Sequence, residues 1–182
     1  MNVTINNKHF IWINFIWFQA IWFAAVLYTD QALPILVMSL CAHFLLSPSK
    51  KADLFTLLAI TLVGSLADYL LTFLGIFIFP KESFIPLWLV LLWAHFSLTL
   101  NHSMRWLTQV PVYIQITFGA IFGTLSYYAG AKLGAVTLNE NLLLSLFSIS
   151  MIWASLLPVY VSIGSQNRIR YDEKTTVKEL QT

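Results

Sequence analysis

Phe10–Tyr28 reads FIWINFIWFQAIWFAAVLY, nineteen residues without a single acid or base. A helix needs roughly 20 apolar residues to cross a hydrocarbon core of about 30 Å, and this run meets that length. It is too long and too rich in Trp for the core of a secretory signal. Only Lys8 precedes it as a charge, and further apolar runs follow. It therefore reads as an uncleaved first membrane span.

Working outward, five more runs appear. The second, Ala32–Leu46, is entered through the turn Thr29-Asp30-Gln31. The third, Leu54–Phe79, ends at Pro80-Lys81-Glu82-Ser83. The fourth is Ile85–Met104, the fifth Pro111–Leu133 and the sixth Leu142–Ile163. The second is short, which implies snorkelling, local thinning of the bilayer or a partly re-entrant path. The runs are continuously apolar instead of alternating, so helices are expected and not barrel strands. The expected fold is an all-α, polytopic membrane helix bundle of six transmembrane helices. Residues 10–163 form the membrane domain, flanked by a short polar segment over 1–9 and a polar, frayed tail over 164–182.

Composition agrees. Hydrophobic residues make up 58% of the 182-residue chain and charged residues 10%, against about 25% charged in an ordinary soluble domain. A formal charge of +2 without a basic patch excludes a nucleic-acid partner. Cys41 is the only cysteine, so an internal disulfide and a thiolate metal cluster are both excluded. With six spans, Lys8, Lys50, Lys51, Arg105, Arg168, Arg170, Lys174 and Lys178 share one side, and only Lys81 and Lys132 the other. That asymmetry places both termini in the cytoplasm.

Ionisable groups at membrane depth cost about 2.5–3.5 kcal/mol each on insertion scales, so each becomes a site hypothesis. The third span carries Asp68, the fourth His95, Asn101 and His102 with Arg105 at its end, the second His43 and the first Gln19. A rise of about 1.5 Å per residue puts Asp68 about 16 Å deep, His95 about 15 Å, His43 about 18 Å and Gln19 about 14 Å. Depth thus allows Asp68 to meet His95, joined by His43 and Gln19, if all face inward. Such a pair either locks the bundle or serves as a proton relay or ligand-binding pair. Thr61, Ser65, Asp68 and Thr72 fall on one helical stripe, as do His95, Thr99, His102 and Trp106. Ser97, Asn101 and Arg105 add a second stripe, so the fourth span is expected to be surrounded by protein or to line a wet cavity. Two readings of its end remain. Arg105 reaches lipid phosphate while Asn101 and His102 bond neighbouring helices, or the three hold an anionic head group or carboxylate. Gly119, Gly123, Gly130 and Gly134 form a small-residue face suited to close helix approach, including by a protein partner.

Other chemistry finds little support. His95 and His102 are separated by about 10 Å along a helix and cannot chelate one ion. A haem clamped by His43 and His95 is less expected than two plain buried histidines, so neither metal nor cofactor is predicted. There is no G-x-S-x-G elbow, phosphate-binding glycine loop or dinucleotide fingerprint. Trp88 and Trp106, near span ends, read as interface anchors.

Three segments, GSLADYLLTFLGIF, PLWLVLLWAHFSLTLNHSMRWL and YYAGAKLGAV, resemble an uncharacterised family of bacterial inner-membrane proteins, domain of unknown function 2878. The likeness covers about residues 13 to 163. Its most specific pieces are Asn-His-Ser-x-Arg-Trp-Leu (Asn101–Leu107), Ala-Gly-x-x-Leu-Gly-Ala (Ala129–Ala135) and Gly-x-x-x-Asp (Gly64–Asp68). Met104 stands where the family usually has leucine, and Lys132 where it often has arginine. The resemblance implies a multi-span protein of the bacterial inner (cytoplasmic) membrane without an established activity. Genes of this family often lie near ones for fatty-acid modification, which points to a lipid-related role. The leading expectation is a non-enzymatic protein that binds or moves a small amphiphile or lipid at spans three and four. The alternatives are a substrate-capturing subunit of a larger transporter, and a lipid-modifying enzyme with Asp68 and His95 as acid and base.

Overall fold

The computed structural model describes residues 7–79 and 84–180. Helices dominate: α1 (Asn7–Tyr28), α2 (Leu33–Leu46), α3 (Lys50–Phe73), α4 (Leu87–Asn101), α5 (Val112–Phe118), α6 (Thr124–Lys132) and α7 (Leu142–Leu180). Helical stretches long and apolar enough to cross a membrane are Phe10–Leu46, Lys50–Phe73 and Leu142–Gln166, with Leu87–Asn101 a shorter apolar helix. Large apolar side chains face outward along them, among them Trp12, Ile16, Leu45, Phe73 and Leu143. Such an exterior suits lipid and not water.

The Phe10–Leu46 stretch folds back on itself. Thr29 takes φ +47°, an uncommon conformation for a β-branched residue, and opens a 3-10 turn over Thr29–Ala32. Pro34 sits at the start of α2, where its missing N–H costs nothing. Trp17 then donates to Ser39 at 2.5 Å, so α1 and α2 lie antiparallel.

α3 starts and stops earlier than its apolar run. Gly75, at φ +71°, ends it: the Gly75 N–H reaches the Thr72 carbonyl at 3.0 Å and the Ile76 N–H the Leu71 carbonyl at 2.9 Å. This pair of bonds is the Schellman cap that glycine makes accessible. α6 ends the same way at Gly134, φ +86°, with Gly134 N–H on Ala131 and Ala135 N–H on Gly130. After each cap comes a two-residue strand, β1 (Phe77–Ile78) and β2 (Thr137–Leu138). They pair antiparallel, Phe77 opposite Leu138 and Ile78 opposite Thr137. The expected end of the third span at residues 80–83, with the Lys81 charge, lies outside the described residues.

α4 is the central helix and packs against α1, α2, α3 and α7. From Trp88 to Asn101 nearly every side chain is buried, polar ones included. That is the environment required by a helix that is apolar all round and carries polar groups near one end. A 3-10 turn (Arg105–Gln109) leads to α5, which passes through a π-helical stretch (Gly119–Gly123) into α6. Gly119 and Gly123 face Trp153 of α7. A Cβ on Gly119 would sit 2.5 Å from the Trp153 carbonyl oxygen, and one on Gly123 would collide with the indole. This half of the glycine face is therefore filled from within the chain. α7 carries Pro158 and continues to Leu180, through most of the tail expected to fray. After Gly164 the sequence has neither Gly nor Pro to interrupt its ladder.

Candidate functional site

The largest concentration of buried polar groups surrounds a residue the sequence reading passed over, Asp53. The apolar run suggested a span beginning at Leu54, whereas the helix begins at Lys50, which brings Asp53 into the bundle with no exposure. Its Oδ2 accepts from the Ser47 hydroxyl and lies 3.0 Å from His43 Nε2 and 3.0 Å from His102 Nε2. Its Oδ1 accepts from Asn101 Nδ2 at 2.9 Å and lies 3.1 Å from His102 Nε2. Asn101 also donates to Thr56 at 3.2 Å. Three of the expected residues, His43, Asn101 and His102, thus come together, but on Asp53 and not on Asp68. α2, α3 and α4 each contribute, and Phe10 of α1 packs its ring edge-on to His102 at 4.8 Å.

The expected pairing of Asp68 with His95 does not form. Asp68 is buried, but its carboxylate accepts from Trp93 Nε1 at 2.6 Å and from the Tyr127 hydroxyl at 2.7 Å. His95 Nε2 lies 3.1 Å from the Leu36 carbonyl oxygen of α2. Arg105 is exposed on its 3-10 turn, and Gln19 is exposed on α1.

Gln19 stands at the rim of a cleft of about 450 Å³ between α1, α4, the π-helical stretch and α7. Its floor is apolar, with Phe96 and Leu157 buried and Trp153 half-buried, and its rim carries Phe15, Trp106 and Phe122, all well exposed. Thr99 and Ser103 supply polar atoms towards one end, beside Met104. A second cavity of about 70 Å³ shares Phe18, Phe96, Ser126 and Trp153 with the cleft and extends it to Trp93 and Tyr127, the partners of Asp68.

The family described as "Protein of unknown function (DUF2878)" matches residues 11–159. The chain belongs to this family. No curated protein and no solved structure matches it.

The structure gives physical content to the segments that mark the DUF2878 likeness. In Gly64-x-x-x-Asp68, a Cβ on Gly64 would collide with the Trp93 indole. The glycine admits that ring, and the aspartate one turn on binds its N–H. In Asn101–Leu107, Asn101 and His102 bind Asp53. The Ser103 hydroxyl donates to Asn14 at 2.6 Å, Trp106 packs edge-on to Phe118 at 5.5 Å, and the carbonyl of buried Leu107 accepts from Gln115 at 2.9 Å. In Ala129–Ala135 the two glycines make the cap that ends α6. Asp53, Asn14 and Tyr127 were not singled out from the sequence. For Asp53 a signal existed: Ser49 at an N-cap position and an acid in the first turn, shortly before an apolar run, mark a helix start.

Proposed function

We propose that this DUF2878 protein is a six-span bacterial inner-membrane protein, with both termini cytoplasmic, that binds or moves a small anionic amphiphile. Six helical segments, counting α1 and α2 as two passes and α5 through α6 as one, support the span number. Residues 10, 43 and 102 meet at one end of the bundle, while the β1–β2 pair joins the loops before α4 and after α6 at the other. The chain would therefore traverse the bundle six times, and the basic residues would face the cytoplasm.

The cleft carries the functional reading. Its volume of about 450 Å³ falls within the roughly 300–1,000 Å³ of small-ligand sites. Its rim of exposed aromatic side chains suits contact with acyl chains, and its aromatic floor continues into the second cavity beyond Phe96. Arg105 stands in sequence between the lining residues Met104 and Trp106. An acyl chain would occupy the cleft with its carboxylate or phosphate held by Arg105, next to the Thr99 and Ser103 hydroxyls. Arginine suits that contact because its planar fork pairs with both oxygens of such a group.

Native mass spectrometry of the detergent-purified protein tests this reading. One anionic amphiphile per chain is expected, and Arg105→Ala should weaken its retention roughly tenfold, the loss of one charge-assisted bond. Wild-type protein without bound amphiphile, or equal retention in the variant, would refute the proposal.

A further inference from the structure

The Asp53 cluster lies apart from the cleft, and its geometry calls for more than hydrogen bonding. Three donors, Ser47 Oγ, His43 Nε2 and His102 Nε2, all crowd onto Oδ2, which has two lone pairs. His102 Nε2 is shared almost equally between the two carboxylate oxygens, at 3.1 and 3.0 Å. Both histidines turn the same ring nitrogen to the same carboxylate, and one ligand atom from each of the three residues falls within 4.8 Å of the others. Two donors about 2.1 Å from one tetrahedral ion are about 3.4 Å apart. The histidine–carboxylate separations of 3.0 Å lie a few tenths of an ångström from that spacing, and the two imidazoles would close around the ion.

We propose that His43, Asp53 and His102 bind one divalent first-row transition-metal ion, of the Zn²⁺ or Fe²⁺ kind. Two imidazoles and one carboxylate without sulfur favour such an ion over Ca²⁺ or Mg²⁺, which take oxygen, and over Cu⁺, which takes sulfur. With the ion in place the imidazole lone pairs point at it, and the competition for Oδ2 is relieved. The surroundings fit a metal centre. Phe10 braces the His102 ring and lies 5.9 Å from that of His43, and the Asn101 amide orients Asp53 from the second side. Such outer contacts fix ligand geometry. A cavity of about 20 Å³, lined by His43, Phe10, Asn14 and His95, is large enough for one water molecule. It lies beside His43, one of the three ligands.

The test uses the full chain in detergent, stripped with a chelator and titrated with Co²⁺ and Zn²⁺. One Co²⁺ per chain with visible d–d bands is expected. His43→Gln and His102→Gln should each weaken Co²⁺ binding at least tenfold, while Arg105→Ala leaves it unchanged even as the cleft loses its amphiphile. Should the histidine variants fail to fold, X-ray absorption of Zn²⁺-loaded wild type decides alone, with two imidazoles expected around the zinc. Wild type that takes up no Co²⁺, affinity unaltered in the folded histidine variants, or a zinc shell with fewer than two imidazoles would overturn the proposal.

Discussion

Asp53 and Asp68 are both buried acids on α3, and their neighbours show what decides a polar contact inside a helix bundle. Depth placed Asp68 and His95 at the same level, but rotation separates them. Trp93 and His95 are two residues apart on α4, about 200° around a helix, so the indole that meets Asp68 leaves the imidazole turned towards α2 and Leu36. Sequence supplies azimuth poorly, because α4 is apolar on every face and its polar stripes do not mark a single inward side; for His43 depth misled as well, since it meets His102 and Asp53 at one end of the bundle. Asp53→Ala would strip an acceptor from four buried side chains, Ser47, Asn101 and the two histidines. A loss of about 3 kcal/mol is expected, read as a lower midpoint of thermal unfolding in detergent by tryptophan fluorescence. Cys41→Ala, at an exposed position, should stay within about 0.5 kcal/mol of wild type.

At the scale of elements, most helices lie within a few residues of the apolar runs that announced them. The exceptions have local causes. The third run continues to Phe79, but Gly75 ends the helix at Phe73, because capping depends on one residue's φ and hydropathy does not register it. The strands went unseen because two residues are too few to show alternation. Conversely, FLGIF and AKLGAV each carry Gly after Leu at a helix end, a signal that was available. Gly75→Ala should cost about 1 kcal/mol through its left-handed φ, and Gly75→Asn distinctly less, since asparagine tolerates that region. Nothing lies within 4 Å of an added Cβ there, so conformational strain is the whole effect. Comparison of the two variants' unfolding midpoints would check it. Gly123→Ala sets the contrast, because there Trp153 must move.

For the whole molecule, the all-helical class was legible from composition and run length. The identity of the cleft was not, because it is built from α1, α4, α5–α7 and the π-helical stretch together, which no single segment announces. The proposed topology makes a direct forecast. In a Cys41→Ser background, cysteine at Asn141, in the loop after β2, should label in intact cells with a membrane-impermeant maleimide. Cysteine at Lys51, beside Asp53, should label only after permeabilisation. The reverse pattern would invert the orientation, and equal labelling of both would reject the span count.

Trp153 stacks on Trp93 at 5.2 Å, abuts Gly119 and Gly123, and lines both cavities. It belongs to α7, which leaves the ribosome after α1–α6. Assembly therefore has a fixed order: the earlier segments can enter the bilayer in turn, but the inner chamber acquires its back wall only once α7 has been made. A nascent chain halted before that point would hold an open-sided bundle, the form in which cellular surveillance has most to recognise.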